Sequence, residues 1–174
     1  MVRVIDVSNL HIDIDEIADS TLDNNSKMIA ICFNKSNILS GGCTTSAINI
    51  RFFNQKLKAP AEHCEINALK QLIRPRNVKL FNYSKKLVNK LRVDMIVIRK
   101  NAKGEYTNSK PCKHCTDFLK SESVTNYINL RRIIYYDEEY NSFVCTSLND
   151  LQTDHISIGY KRMFSKNKDL LMWT

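Results

Sequence analysis

Apolar runs of strand length recur along this chain, separated by polar turns and by stretches with helical spacing. Residues 28–34 (MIAICFN) are such a run, followed by the turn material Asn34-Lys35-Ser36-Asn37. Residues 38–45 (ILSGGCTT) read as the hairpin partner of that run. Residues 93–99 (VDMIVIR) predict a buried strand, and residues 131–137 (RRIIYYD) predict another. Residues 142–147 (SFVCTS) add a fifth, antiparallel to its predecessor across the short turn at 137–141. From His63 onward, Ile66, Ala68, Leu69, Leu72 and Ile73 keep the spacing of an amphipathic helix, which Arg74-Pro75-Arg76 ends. A second helix runs from Cys112 to Lys120, with Phe118 and Leu119 inward. Residues 2–7 alternate enough for a short strand, and residues 10–19 read as a strand or an acidic helix. An amphipathic helix is expected over 84–92, and another helix start over 148–154 with Ser147 or Asn149 as cap. Gly41-Gly42 marks either a bulge or a close approach of backbone to a neighbour, such as a base or ribose. Strands interleaved with helices define an α/β chain.

Composition narrows this picture. The 174 residues are the length of one domain, expected to span 1–174, and 43% apolar content suffices for a packed core. Only four glycines and three prolines argue against a loop-dominated chain. No run approaches the ~20 apolar residues of a membrane span, so no membrane partner is expected. The N-terminal residues are acidic after Arg3 and resemble no signal or transit peptide, which makes cytosol or nucleus the expected location. In a reducing compartment Cys32, Cys43, Cys64 and Cys145 read as small core residues rather than disulfide partners. The net charge of +8 suits an anionic partner, a nucleotide or a polynucleotide, without choosing between them. Residues 74–92 carry seven Lys/Arg and no Asp or Glu. That basic segment is read as a solvated surface helix or as a nucleic-acid face. The C-terminal Leu170-Leu171-Met172-Trp173 cluster either docks on the core or makes a homo-oligomer contact, as the sheet also could.

Two short motifs carry the chemistry. His63-Cys64-Glu65 is H-x-E, and Pro111-Cys112-Lys113-His114-Cys115 is P-C-x-x-C. One imidazole and two thiolates make three ligands for a zinc ion and leave a fourth position for water. The i, i+3 spacing of Cys112 and Cys115 puts both sulfurs on one face of a helical turn. Pro111 suits a helix start, whose partial positive charge favours thiolates. Zinc lowers the pKa of its bound water to about 7, and Glu65, outside the coordination sphere, is placed to shuttle a proton. The competing reading is a closed structural zinc site or a redox pair, which would draw its remaining ligand from Cys64, His114 or a distant cysteine. Further candidates contact substrate: Asn49 and Asn54 through a sugar or base, Arg51, Lys56 and Lys58 through phosphate. Ser109 and Lys110 flank the metal, and His114, one step off the ligand face, points to solvent or substrate.

The order of hairpin, H-x-E helix, strand, P-C-x-x-C helix and strand resembles the cytidine deaminase superfamily over about residues 28–147. His63 as first ligand is similar to the deoxycytidylate, tRNA-adenosine and polynucleotide cytidine deaminase branch; the free cytidine deaminases carry Cys there. The resemblance implies a three-layer α/β/α fold with a mixed five-stranded sheet. It implies Zn2+ held by His63, Cys112 and Cys115, Glu65 as proton shuttle, and hydrolytic deamination of cytosine in a (deoxy)cytidine nucleotide or in single-stranded nucleic acid. Adenosine deamination on RNA and a non-catalytic zinc-containing nucleic-acid-binding module are the alternatives. The branch often has Asn where this chain has Thr44-Thr45, which leaves substrate positioning at Thr44 open. The tryptophan-serine lead-in of vertebrate polynucleotide deaminases is replaced by Asn108-Ser109-Lys110, and the basic insertion 74–92 lengthens the gap between the motifs.

Overall fold

A computed structural model of the chain describes residues 1–21, 28–43, 49–52, 55–58, 63–73, 90–158 and 161, with the backbone alone at 20–21, 49–52 and 55–58. Eight strands and four helices are formed among these residues. The strands are β1 (Arg3–Val4), β2 (Met28–Asn34), β3 (Asn37–Cys43), β4 (Asn49–Phe52), β5 (Gln55–Lys58), β6 (Leu91–Arg99), β7 (Ile128–Asp137) and β8 (Ser142–Thr146). The helices are α1 (Ile14–Thr21), entered through a 3-10 turn at Val7–Leu10, α2 (Cys64–Ile73), α3 (Lys113–Lys120) and the single turn α4 (Glu122–Thr125).

Six strands make one mixed sheet in the order β1-β8-β7-β6-β2-β3. Only β6 and β7 run parallel, and α3 and α4 form the crossover between them. The run in β2 is continuously apolar because both of its faces are covered. Ile29, Ile31 and Phe33 pack with Leu10, Ile12, Ile14 and Ala18, the side of the 3-10 turn and α1. Ala30 and Cys32 face the other way, toward Cys64, Ala68 and Leu69 of α2. The same two-residue alternation splits β6, with Ile96 and Ile98 toward α1 and Met95 and Val97 toward α2 and Leu119 of α3. Helices therefore cover both faces of the sheet.

The sheet has six strands, not the five expected. The additional one is β1, whose Arg3 and Val4 pair with Cys145 and Val144 at the edge of β8. The short strand expected over residues 2–7 thus forms, trimmed to Arg3–Val4, where it meets the free edge of β8. Residues 10–19 resolve into the 3-10 turn and α1. Residues 148–154 form a turn instead of a helix. Ser147 does act as the cap, its Oγ accepting from the Asp150 N–H at 3.2 Å, but burial of Leu151 pulls the chain away after that one turn. Leu91 and Arg92, expected at the end of a helix over 84–92, open β6; residues 84–89 and the C-terminal cluster lie outside the described residues. The irregularity in the β2–β3 hairpin falls at Leu39, between the Cys32–Ser40 and Phe33–Ile38 pairs, not at the glycines.

Topology places the motifs. Met28 at the start of β2 pairs with Arg99 at the end of β6, and Ile29 pairs with Cys43 at the end of β3. The chain thus leaves β3 and β6 at one end of the sheet, and both motif helices begin there. The carboxyl ends of sheet strands are where α/β folds build their sites.

Candidate metal centre

His63 immediately precedes α2, its carbonyl accepting from the Asn67 N–H at 3.0 Å. Three contacts seat this first turn on β3. Ser40 Oγ donates to Ala68 O at 2.9 Å, and Asn67 Nδ2 donates to Cys43 O at 3.0 Å. The third is Gly42, where a Cβ would lie 2.5 Å from Ala68 N and 2.6 Å from Cys64 O. Of the glycine pair, Gly42 does mark a close approach, but the neighbour is the backbone of α2.

The second motif lies in the first turn of α3. Cys112 is the N-cap and Lys113 the first helical residue, two residues later than a helix with Pro111 in its first position, and the Cys112 carbonyl accepts from the Thr116 N–H at 2.9 Å. The Lys113 N–H donates to His155 O at 2.8 Å, which ties the turn to a later segment. Ile66 of α2 packs against Cys112 and Cys115 and draws the two helix starts together. His63 Nδ1 then sits 3.4 Å from Cys112 Sγ and 3.2 Å from Cys115 Sγ. In a tetrahedral site with Zn–S near 2.3 Å and Zn–N near 2.0 Å, nitrogen and sulfur are separated by about 3.5 Å. The donors fit a zinc ion in both chemistry and spacing. Among the described residues no fourth His, Cys, Asp or Glu joins this group.

Charge is already arranged for a cation. The Cys112 thiol is lowered to about 4, chiefly because the Cys115 thiol donates to it, with His63 assisting against the cost of burial. Cys115 is pushed up in turn, by that same bond and by burial, so the pair shares one proton. The Cys112 thiolate raises the pKa of His63. Glu65 stands outside the ligand group and is fully buried, and burial raises its carboxyl above the ordinary range. Its Oε2 accepts from the Cys64 thiol at 3.2 Å, while Oε1 is buried with no hydrogen-bond partner among the described residues.

The remaining candidates divide. His114 is half-buried with its ring edge-on to His63 at 6.4 Å, and burial lowers its pKa. Lys110 extends its ammonium over the Tyr135 ring at 5.9 Å. Ser109 is fully buried; its Oγ donates to Val97 O at 2.7 Å and accepts from the Tyr136 N–H at 2.8 Å, so it pins the loop to β6 and β7. Asn49 pairs with Lys58 through the β4–β5 ribbon, while Thr44 and Asn54 lie outside the described residues. Cys64 lies in the core as expected, but no sequence pattern signals its bond to Glu65, which depends on the rotamers of adjacent residues. All six cysteines are free thiols rather than disulfides, and among the described residues no helix is long and apolar enough to cross a membrane. No protein-family model matches the chain, and no curated protein matches it.

Proposed function

We propose that the protein is a zinc-dependent hydrolytic deaminase of the cytidine deaminase type. Its substrate is the cytosine of a (deoxy)cytidine nucleotide or of single-stranded nucleic acid. The observation that supports this reading is the convergence of three ligand side chains beside a fully buried carboxylate with an uncommitted oxygen. A structural site has no use for such a group. His63, Cys112 and Cys115 hold the ion. When bound, zinc supplies a water acidic enough to attack near neutral pH. Glu65 carries the two protons of the attacking water one at a time through Oε1, the first to the ring nitrogen and the second to the departing amine, so that water is consumed and ammonia released. Burial raises its carboxyl above the ordinary range, which makes it a stronger base than an exposed glutamate while leaving it able to give the proton back.

Ammonia release from cytidine, CMP, dCMP and single-stranded DNA or RNA tests the reading, with zinc-loaded protein and Glu65→Ala as control. Turnover of a cytosine substrate is expected, reduced at least ~100-fold in the variant at unchanged zinc content. Zinc-loaded protein inert on every cytosine substrate, or a variant as active as the parent, overturns it. Turnover of adenine alone reassigns the base.

A further inference from the structure

The residue between the two functional members of H-x-E is here a cysteine, and it touches the carboxylate. Cys64 and Glu65 are both fully buried. The thiol donates to Oε2 at 3.2 Å, and Oε1 has no partner among the described residues. Two oxygens of one carboxylate are thus made unequal: one is tethered, one is left for chemistry. A carboxylate at the start of a helix turns readily about its side-chain torsions, and beside its own backbone N–H the Cys64 thiol is the side-chain donor that reaches it. We propose that Cys64 is a positioning residue, whose thiol fixes the Glu65 carboxylate so that Oε1 alone faces the reacting atoms. Its readout by turnover rests on the deaminase reading, but the contact itself has a signature that needs no substrate.

The S–H stretching band lies in an infrared window that other protein groups leave clear. The difference between parent and Cys64→Ala isolates the Cys64 band. A thiol donating to a carboxylate absorbs at lower frequency than one without an acceptor, so the band should move upward in Glu65→Leu, which keeps the pocket filled and removes the acceptor. An unmoved band overturns the proposal whether or not any substrate reacts. A shifted band in a parent enzyme inert on cytosine defeats the deaminase reading and leaves the contact standing. With an active parent, Cys64→Ala and Cys64→Val should lose about tenfold in kcat, the scale of one hydrogen bond to a charged group, with KM within about twofold and zinc content unchanged. Cys64→Ser, which restores a donor, should recover most of the loss. Full activity in both the Ala and Val variants, or no recovery in Ser while the thermal transition is preserved, overturns the proposal.

Discussion

Two residues far apart in character show how tightly single positions are specified. At Gly42 the atoms that forbid a side chain are backbone atoms of α2, at 2.5 and 2.6 Å, so neither can swing aside. Gly42→Ala should cost about 3 kcal/mol and shift the turn that carries His63, weakening zinc affinity as well as stability. Denaturant midpoints and zinc titration of the same variant check both effects; a loss of stability with unchanged zinc affinity would show that the turn does not move. Asp94 is the opposite case, a carboxylate with no exposure at all. A bulge between Val93 and Asp94 lets two successive arginines of β7 reach it: Oδ2 accepts from Arg131 at 2.8 Å and from Arg132 at 2.6 Å. Breaking a buried pair typically costs about 3–5 kcal/mol. Both guanidinium groups here are partly solvated and would stay hydrated, so Asp94→Ala should fall below that range, at about 2–3 kcal/mol by urea denaturation.

At the scale of elements, α1 is held to the sheet by its polar side as well as its apolar one. Lys100 reaches Asp15 at 3.1 Å and Asp19 at 2.6 Å, and the Tyr106 hydroxyl donates to Asp15. Tyr106 itself stacks on Tyr136 and meets the edge of Phe143. The hydroxyl, with Lys100 assisting, holds the Asp15 carboxyl below its ordinary range. A lowered folded-state pKa stabilises the fold above the ordinary carboxylate pKa, and that contribution fades as pH falls through the folded value. Because Asp15 is exposed, Tyr106→Phe should cost only about 0.5–1 kcal/mol at neutral pH, and the gap to the parent should close in acid. Parallel melts at neutral and acid pH test the sign.

The same scale shows what the sequence made legible. The runs at 28–34 and 93–99 announce themselves because helices cover both faces, which demands unbroken apolar residues. The ligand trio was legible because its two motifs each fall at a helix start, where spacing and chemistry coincide. Edges and ends were not. The strand expected over residues 2–7 shrinks to Arg3–Val4, the part that meets the edge of β8, and residues 148–154 form a turn whose continuation loses to burial of Leu151. Ser109 reads as a site residue from its place beside Pro111, yet its hydroxyl is spent on two backbone groups that only the folded sheet brings near it.

For the molecule as a whole, the candidate metal site joins α2 and α3 on one face of the sheet. In its absence Cys115 keeps its proton and His63 is more basic than usual, so zinc loading should release protons to solvent, measurable with an indicator dye in weak buffer. Free zinc at a hundred times its Kd stabilises a protein that binds only when folded by about 2.7 kcal/mol. For a chain of this length that is about 5–10 °C in Tm, which a chelator should abolish in the parent and which Cys112→Ala and Cys115→Ala should lack from the start.

His63 and Cys112 are 49 positions apart in the chain, and β6 lies between them. Neither motif can assemble a site within its own helix, since one brings a nitrogen and the other two sulfurs. The hairpin with α2 and the strand with α3 must each form and then dock before three donors exist in one place. Loop closure makes that docking a late, entropically costly step. During synthesis the three donors would therefore not meet until β2, β3 and β6 had paired and α2 and α3 had docked, and a zinc ion would capture only molecules in which that half of the sheet is already built.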